Sequence, residues 1–412
     1  MIKIAILGYG TVGSGIYEVL ETNKESITKK AGHGISVKYI LDLKDFPGTP
    51  IEKLVTKNYN EILEDPEVQV VAEVMGGVEP AYTFVKGALE KGKSVVTSNK
   101  ELVAKHGAEL LETARANKVN FLFEASVGGG IPIIRPLNQS LTADEIYEIT
   151  GILNGTTNFI LTKMFNEGRE FEEVLKEAQE LGYAERNPAA DVEGHDACRK
   201  IAILSSLAFG MNVSYEDIHT EGITRVSTRD MEYAKHLGCE IKLLATSRKQ
   251  DHKVYAMVAP MMIGKENPLS NVHDVFNAIF VKGNVIGDVM FYGRGAGKLP
   301  TASAVVADIV DVVKHMGTSI ISHWSTEKME LMDTEKIPAT YFVTVKTDFH
   351  AAIRDAVNKV FGEVEFVQLE GVEDEIAFIS GKSTEGDLQE KVRKLAQEAP
   401  VTEIASVLRM ER

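Results

Sequence analysis

Six residues near the start of the chain, Gly8-Tyr9-Gly10-Thr11-Val12-Gly13, limit what it can fold into more than any other stretch. They follow an apolar run at 2–7 and precede an amphipathic segment carrying Ile16, Val19 and Leu20. Glycine at the first place permits a tight turn, at the second a close approach of backbone to a pyrophosphate, and at the third close packing of helix on strand. Free amides at Thr11 and Val12, together with the helix dipole, then face the anion. The competing reading is a glycine-rich turn of purely structural use. The position between a strand and a helix favours nucleotide binding.

Downstream of this turn, short β-branched runs at 37–41, 68–74, 94–97 and 120–123 alternate with amphipathic stretches. Such alternation predicts βαβ units and a parallel sheet covered on both faces, an α/β class domain over 1–135. Between 136 and 298 the texture changes to α+β, with strands expected at 145–153, 254–261 and 276–286 and helices at 171–181 and 196–209. An Ala- and Val-rich helix within 299–320 is expected to pack back on the first domain. Residues 340–412 read strand, helix, strand, strand, helix, strand, a small ferredoxin-like unit reached through a linker at 333–338.

The chain's 45 Lys plus Arg stand against 60 Asp plus Glu, a net charge of −15, which disfavours nucleic acid and anionic membranes as partners. Any phosphate must therefore be held locally. Cys198 and Cys239 cannot build a disulfide framework, and the run 2–7 is too short for a signal peptide or membrane span, so a cytoplasmic location is expected. His195, His219, His236 and His273 lack metal-ligand spacing and read as structural or surface residues. The acidic stretch 363–375 reads as a solvated face.

At the end of the second strand, an acidic residue would hold a ribose 2′-hydroxyl and a basic one a 2′-phosphate. Asp42 follows Leu41 there; the alternative is that Asp42 only starts a turn.

Further motifs follow in order: Thr97-Ser98-Asn99-Lys100-Glu101, Glu124-Ala125-Ser126-Val127-Gly128-Gly129-Gly130-Ile131-Pro132, Gly151-Ile152-Leu153-Asn154-Gly155-Thr156-Thr157-Asn158, Gly182-Tyr183-Ala184-Glu185 with Asp191, Gly194-His195-Asp196-Ala197-Cys198-Arg199-Lys200, and Gly293-Arg294-Gly295-Ala296-Gly297. Together they resemble homoserine dehydrogenase. The resemblance implies NAD(P)H-dependent, reversible reduction of L-aspartate 4-semialdehyde to L-homoserine, a branch-point step toward threonine, methionine and isoleucine. It also implies a Rossmann-type first domain, a central substrate and dimerisation domain, and an ACT-like C-terminal unit, for which threonine is a candidate effector. The expected assembly is a homodimer or higher homo-oligomer.

Matched position by position, the resemblance makes Lys200 the catalytic acid/base with Asp196 beside it, and Glu185, Asp191, Gly182 and Thr156 substrate residues. It assigns Gly8, Gly10, Thr11, Val12, Gly13, Asp42, Ser98, Lys100 and Gly297 to the cofactor, with the preference between NADP and NAD open. A monovalent cation, Na⁺ or K⁺, is implied at Glu124 and the carbonyls of Val127, Gly129 and Ile131. Without the resemblance, Asp196 and Lys200 read as a surface ion pair at i, i+4, and the glycines at 128–130 as a hinge. Chemically, aldehyde reduction needs a hydride and a proton donor for the oxygen that becomes alkoxide, and a lysine supplies the second. The Asn154–Asn158 turn offers amides and the Thr156 hydroxyl to a substrate carboxylate, with helix capping as the competing role.

Two features depart from the family pattern. Leu41 stands where many members carry a basic residue, leaving Lys44 as its substitute. Asp348-Phe349-His350-Ala351 replaces the Asp-x-Pro-Gly turn common in ACT units. The rival readings are a catalytically silent sensor of nucleotide and amino acid, or a reductase of another small aldehyde. Retention of Lys100, Glu185, Asp196 and Lys200 on one chain argues against the sensor.

Overall fold

The computed structural model describes residues 1–250, 252–398, 401 and 403–411. Asp251, Ala399, Pro400, Thr402 and Arg412 lie outside the described residues, the last four within the expected third domain. Among the described residues no helix is long and apolar enough to cross a membrane.

Two compact units account for the chain. The first comprises Met1–Ile149, Arg199–Asp217 and Asn277–Glu330; the second Thr150–Cys198, Ile218–Phe276 and Leu331–Arg412. The sequence predicts domains at 1–135, with 299–320 packed back on it, 136–298 and 340–412; the C-terminal segment shares a sheet with strand Lys253–Gly264.

The first unit holds a six-stranded parallel sheet of β1 (Ile2–Leu7), β2 (Ile35–Leu41), β3 (Val55–Thr56), β4 (Val68–Glu73), β5 (Ser94–Thr97) and β6 (Phe121–Leu122). Its order is β3-β2-β1-β4-β5-β6, so chain direction across the sheet reverses between β1 and β4. Strands β1, β4 and β5 are buried on both faces, as their Val- and Ile-rich runs demand. Helix Thr11–Thr22 turns Gly13, Gly15, Ile16 and Leu20 inward. Helix Lys298–Lys314 packs against it so closely that a Cβ at Gly15 would lie 2.9 Å from Ala302 Cβ. Ile4, Ile6, Ile40, Val70, Val96, Val305 and Ile309 form the shared core. The strand expected at 276–286 is Phe276–Gly283; it ends in a turn where Asp144 accepts hydrogen bonds from the amides of Val285 and Ile286, and strand Gly287–Arg294 follows.

In the second unit, strand Cys239–Gln250 pairs antiparallel with Lys253–Gly264. On its other edge, Lys253–Gly264 has two successive partners. Met257 and Val258 pair with His219 and Thr220, whereas Met261–Ile263 pair in parallel with Arg409–Glu411. Pro260 lies between, with no N–H to donate.

The C-terminal segment has the expected βαββαβ order: Pro338–Lys346, His350–Phe361, Glu365–Val367, Glu375–Ile379, Glu385–Glu398 and Glu403–Glu411. Its strands lie fourth, first, third, second, a ferredoxin-like arrangement, around Tyr341, Val343, Ile353, Val357, Phe378 and Leu395. It is tied into the rest of the unit by Arg409, which is 6% exposed and reaches Glu221 at 2.8 Å and Glu385 at 2.5 Å. Tyr233 packs on Phe342 at 5.1 Å. The acidic stretch is not wholly a solvated face as expected: Glu375 is buried against Arg229 at 3.5 Å, and burial raises its pKa.

Candidate active site

In the first unit the glycine turn has the shape its spacing predicts. Gly8 takes φ +94°, a left-handed conformation that an L side chain resists. A Cβ at Gly13 would sit 2.0 Å from the Gly8 carbonyl oxygen, so only glycine lets helix and turn meet. At Gly10, by contrast, a Cβ would find nothing within 4 Å. Gly10 caps helix Thr11–Thr22 with no side-chain hydrogen bond, which leaves the amides of the first helical turn available to an anion.

Asp42, directly after β2, spans both readings of its role. One carboxylate oxygen accepts the Lys44 amide at 2.9 Å and so starts a turn; the other accepts the Tyr9 amide of the glycine turn at 2.8 Å. Leu41 is buried, so a basic residue in its place would point into the core. Leu43, 87% exposed, and Lys44 are the solvent-facing neighbours.

Ser98 and Lys100 lie where β5 gives way to helix Lys100–Ala116. Asn99 caps that helix by accepting the Leu102 amide at 3.1 Å, and its own amide group donates to the Gly77 carbonyl at 2.6 Å. Gly297 has φ +125° and leads into helix Lys298–Lys314.

The Glu124 carboxylate is committed to the backbone. It accepts the amides of Ile133, Ile134 and Arg135 at 2.6, 2.8 and 2.7 Å. The Glu124 amide donates to Asp308 at 2.8 Å, and Arg135 pairs with Asp308 at 2.5 Å. Burial, reinforced by the neighbouring Glu124 charge, raises the Asp308 pKa against the pull of Arg135. Glu124 therefore has no lone side-chain oxygen aimed at the carbonyls implied for a cation. Those of Val127, Gly129 and Ile131 are buried and accept no hydrogen bond among the described residues. Hard oxygen donors left in this state suit a monovalent cation. The glycines have a separate reason to be glycine: a Cβ at Gly129 would lie 2.1 Å from the Gly295 carbonyl oxygen, and the Gly130 amide donates to the Arg294 carbonyl at 3.2 Å. Among the described residues, no group of three His, Cys, Asp or Glu could hold a metal ion.

In the second unit the Asn154 side chain joins two of the expected carboxylates. Its Nδ2 donates to Asp191 at 2.8 Å and Asp196 at 2.9 Å, while its Oδ1 accepts the Thr157 amide and caps helix Gly155–Glu167. Thr156 stands in the first turn of that helix. Its hydroxyl donates to the Tyr183 carbonyl at 2.6 Å, so that proton is not offered to a substrate carboxylate. Gly182, with φ +75°, and Glu185 stand exposed in the loop before helix Ala189–Val192. The Glu185 carboxylate has no hydrogen-bond or ion-pair partner among the described residues.

Asp196 and Lys200 occupy successive turns of helix His195–Phe209, within which the division between the two units falls. At 2% and 8% exposed they are not a surface ion pair. The histidines answer to nearby acids, with His219 on Glu221 at 2.5 Å and His273 on Glu240 at 3.1 Å. Sequence reasoning quoted Asn154 only as part of a turn, and it passed over Glu73. Glu73 closes the strand Val68–Glu73, in which Gln69 is the other polar residue.

A family model for homoserine dehydrogenase matches residues 132–310, and one for the homoserine dehydrogenase NAD binding domain matches residues 8–124. The chain is similar to the homoserine dehydrogenase of Bacillus subtilis (strain 168), 39% identical over 429 residues, covering 100% of this chain and 98% of that protein. It is similar to the crystal structure of a homoserine dehydrogenase from Thiobacillus denitrificans, with TM-score 0.90, 36% identity, and coverage of 100% of this chain and 98% of that one. It is also similar to a hyperthermophilic archaeal homoserine dehydrogenase mutant in complex with NADPH, with TM-score 0.65, 31% identity, and coverage of 76% and 97%.

Proposed function

The chain belongs to the homoserine dehydrogenase family of NAD(P)-dependent oxidoreductases, and on that premise we propose which of its residues carry the reduction of L-aspartate 4-semialdehyde. Lys200 gives a proton to the aldehyde oxygen as that oxygen becomes alkoxide, and takes it back when homoserine is oxidised. Asp196 lies one turn before it. Asp191 and Asp196, fixed by Asn154, and the unpartnered Glu185 offer negative charge to the substrate ammonium group. Gly182 contributes backbone and Lys100 positive charge. Thr156 shapes this loop through Tyr183. The single observation that carries this reading is the Asn154 amide, which holds two carboxylates at hydrogen-bond distance where the helix bearing Lys200 begins.

A bound nicotinamide cofactor supplies the hydride. Gly8, Gly10, Thr11, Val12 and Gly13 would hold its pyrophosphate, Asp42 its adenine ribose, and Ser98, Lys100 and Gly297 its remaining contacts. The carboxylate of Asp42, pinned by two amides, favours the 2′-hydroxyl of NAD(H) over the 2′-phosphate of NADP(H). We further propose a monovalent cation on the carbonyls of Val127, Gly129 and Ile131, with Glu124 acting through its backbone. A homodimer is supported by exposed apolar side chains, each 41% exposed or more: Tyr147 on strand Ile146–Ile152, Met290 and Tyr292 on strand Gly287–Arg294, and Ile286 in the turn before it. Threonine is the effector to test on the ferredoxin-like unit. The deciding experiment follows NADH and NADPH consumption with aspartate semialdehyde in Na⁺ and K⁺ salts. Turnover that requires the semialdehyde is expected, and none under any condition would overturn the reading.

A further inference from the structure

Glu73, the last residue of β4, has none of its surface exposed. It makes no ion pair among the described residues. A buried carboxylate without a cation must be satisfied by hydrogen-bond donors, and here they come from two different loops. Burial raises the Glu73 pKa, and against it act the Met75 amide, which donates to Oε1 at 2.8 Å, and the Gly76 amide. These belong to the 74–80 loop after β4, where Gly76 and Gly77 take φ of +83° and +73°. The Thr97 hydroxyl, at the end of β5, donates to Oε2 at 2.6 Å.

The polar chain continues. Thr97 Oγ1 accepts the Asn99 amide at 2.9 Å, and Asn99 returns to the first loop by donating to the Gly77 carbonyl at 2.6 Å. Donors therefore run from Asn99 to Thr97 to Glu73, and only an acceptor can end the series. A neutral amide in place of the carboxylate would set a donor against either the Thr97 hydroxyl or the inward-turned backbone amides.

The location gives this ring its purpose. Glu73 is paired with Leu7, immediately before the glycine turn, so it lies at the carboxyl end of the strands where the sheet order reverses. A dinucleotide lies across that reversal, with its pyrophosphate at the turn after β1 and its adenine ribose at the end of β2. Its nicotinamide half then falls on the β4 and β5 side, over the two loops that Glu73 joins. Asn99, in the same ring, caps the helix whose first residue is Lys100.

We propose that Glu73 is a positioning residue for the nicotinamide half of the cofactor, fastening the 74–80 loop to the turn that carries Ser98 and Lys100. The proposal rests on the nicotinamide-dependent reading of the chain. Its test compares two ligands that differ only in that half: the preferred one of NADH and NADPH, and the matching ADP-ribose or its 2′-phosphate. Glu73→Gln should weaken the reduced cofactor by about tenfold, as for loss of a hydrogen bond to a charged group, and leave the ADP-ribose unchanged. Turnover should fall alongside. Thr97→Val removes the central donor with little change of shape and should give the same split, while Thr97→Ser restores it. Equal loss of both ligands, or loss of neither, in the Thr97 series overturns the proposal even if Glu73→Gln folds poorly. Wild-type protein that binds ADP-ribose but not the reduced cofactor would overturn it together with the reading beneath it.

Discussion

Asn154 donates to Asp196 across 2.9 Å with the same nitrogen that holds Asp191. Two carboxylates facing one neutral donor depend on its being an amide. Asn154→Asp would remove the donor and add a third negative charge among them. The KM for aspartate semialdehyde should rise by about tenfold or more, with cofactor KM little changed. Steady-state kinetics varying each substrate in turn provide the check, and equal changes in both constants would remove Asn154 from substrate positioning.

Lys200→Ala should lower turnover by about 10², the usual scale for losing a positioned acid, while nucleotide affinity stays near wild type. In homoserine oxidation the lysine must start neutral to accept the proton. Oxidation by the wild-type enzyme should therefore rise toward alkaline pH, and the variant should lose that rise. Near-normal turnover of Lys200→Ala would exclude the residue as the proton donor.

Cofactor choice is predicted to turn on the residues after the second strand. Leu41 is buried, which makes it the wrong position for a new cation, whereas Leu43 is open to solvent. Asp42→Ser combined with Leu43→Arg should move the ratio of NADPH to NADH efficiency upward by about tenfold, through loss of a repulsive charge and gain of a phosphate partner. An unchanged ratio would place the ribose elsewhere.

The Glu221–Arg409 link predicts a particular acid response. Burial alone would raise the Glu221 pKa, but His219 and Arg409 outweigh it and draw it down to about 2. An unfolded glutamate titrates near about 4.3. A folded value below the unfolded one contributes stability that is present above pH of about 4.3 and is lost as pH falls toward about 2. Glu221→Gln should lower the Tm at neutral pH and flatten the Tm decline across that acid window. Parallel wild-type and variant curves would show that the link contributes nothing.

Tyr292→Glu places a charge on the exposed strand face it shares with Met290. If that face joins two copies, sedimentation velocity should show a shift from dimer to monomer with unchanged circular dichroism. Persistence of the wild-type species would direct the search to another surface.

Much of this architecture was legible because periodicity and turn chemistry agree locally. The first glycine turn, the buried parallel strands and the βαββαβ order all follow from patterns a few residues long. What escaped depended on contacts between distant residues. Nothing near Leu41 announces that its side chain faces inward. The Thr156 hydroxyl is committed to the carbonyl of Tyr183, a residue from another segment of the chain. Glu375 belongs to an acidic stretch by composition, yet packing buries it against Arg229. The C-terminal segment reads as separable from its own alternation, whereas Arg409 is held by a glutamate from the middle of the chain. Of the candidate site, the residue types and their motifs were visible, but the Asn154 bridge and the Glu73 ring are properties of the folded chain.

The divided edge of strand Lys253–Gly264 also sets an order of events during synthesis. Met262 and Ile263, both fully buried in the finished protein, pair with Met410 and Glu411. A nascent chain that has emerged through residue 264 therefore presents there an apolar strand edge whose partner, Arg409–Glu411, has yet to be made. Such edges invite pairing with other chains. Strand Glu403–Glu411 covers that edge, so a chain lacking it would keep an adhesive apolar margin.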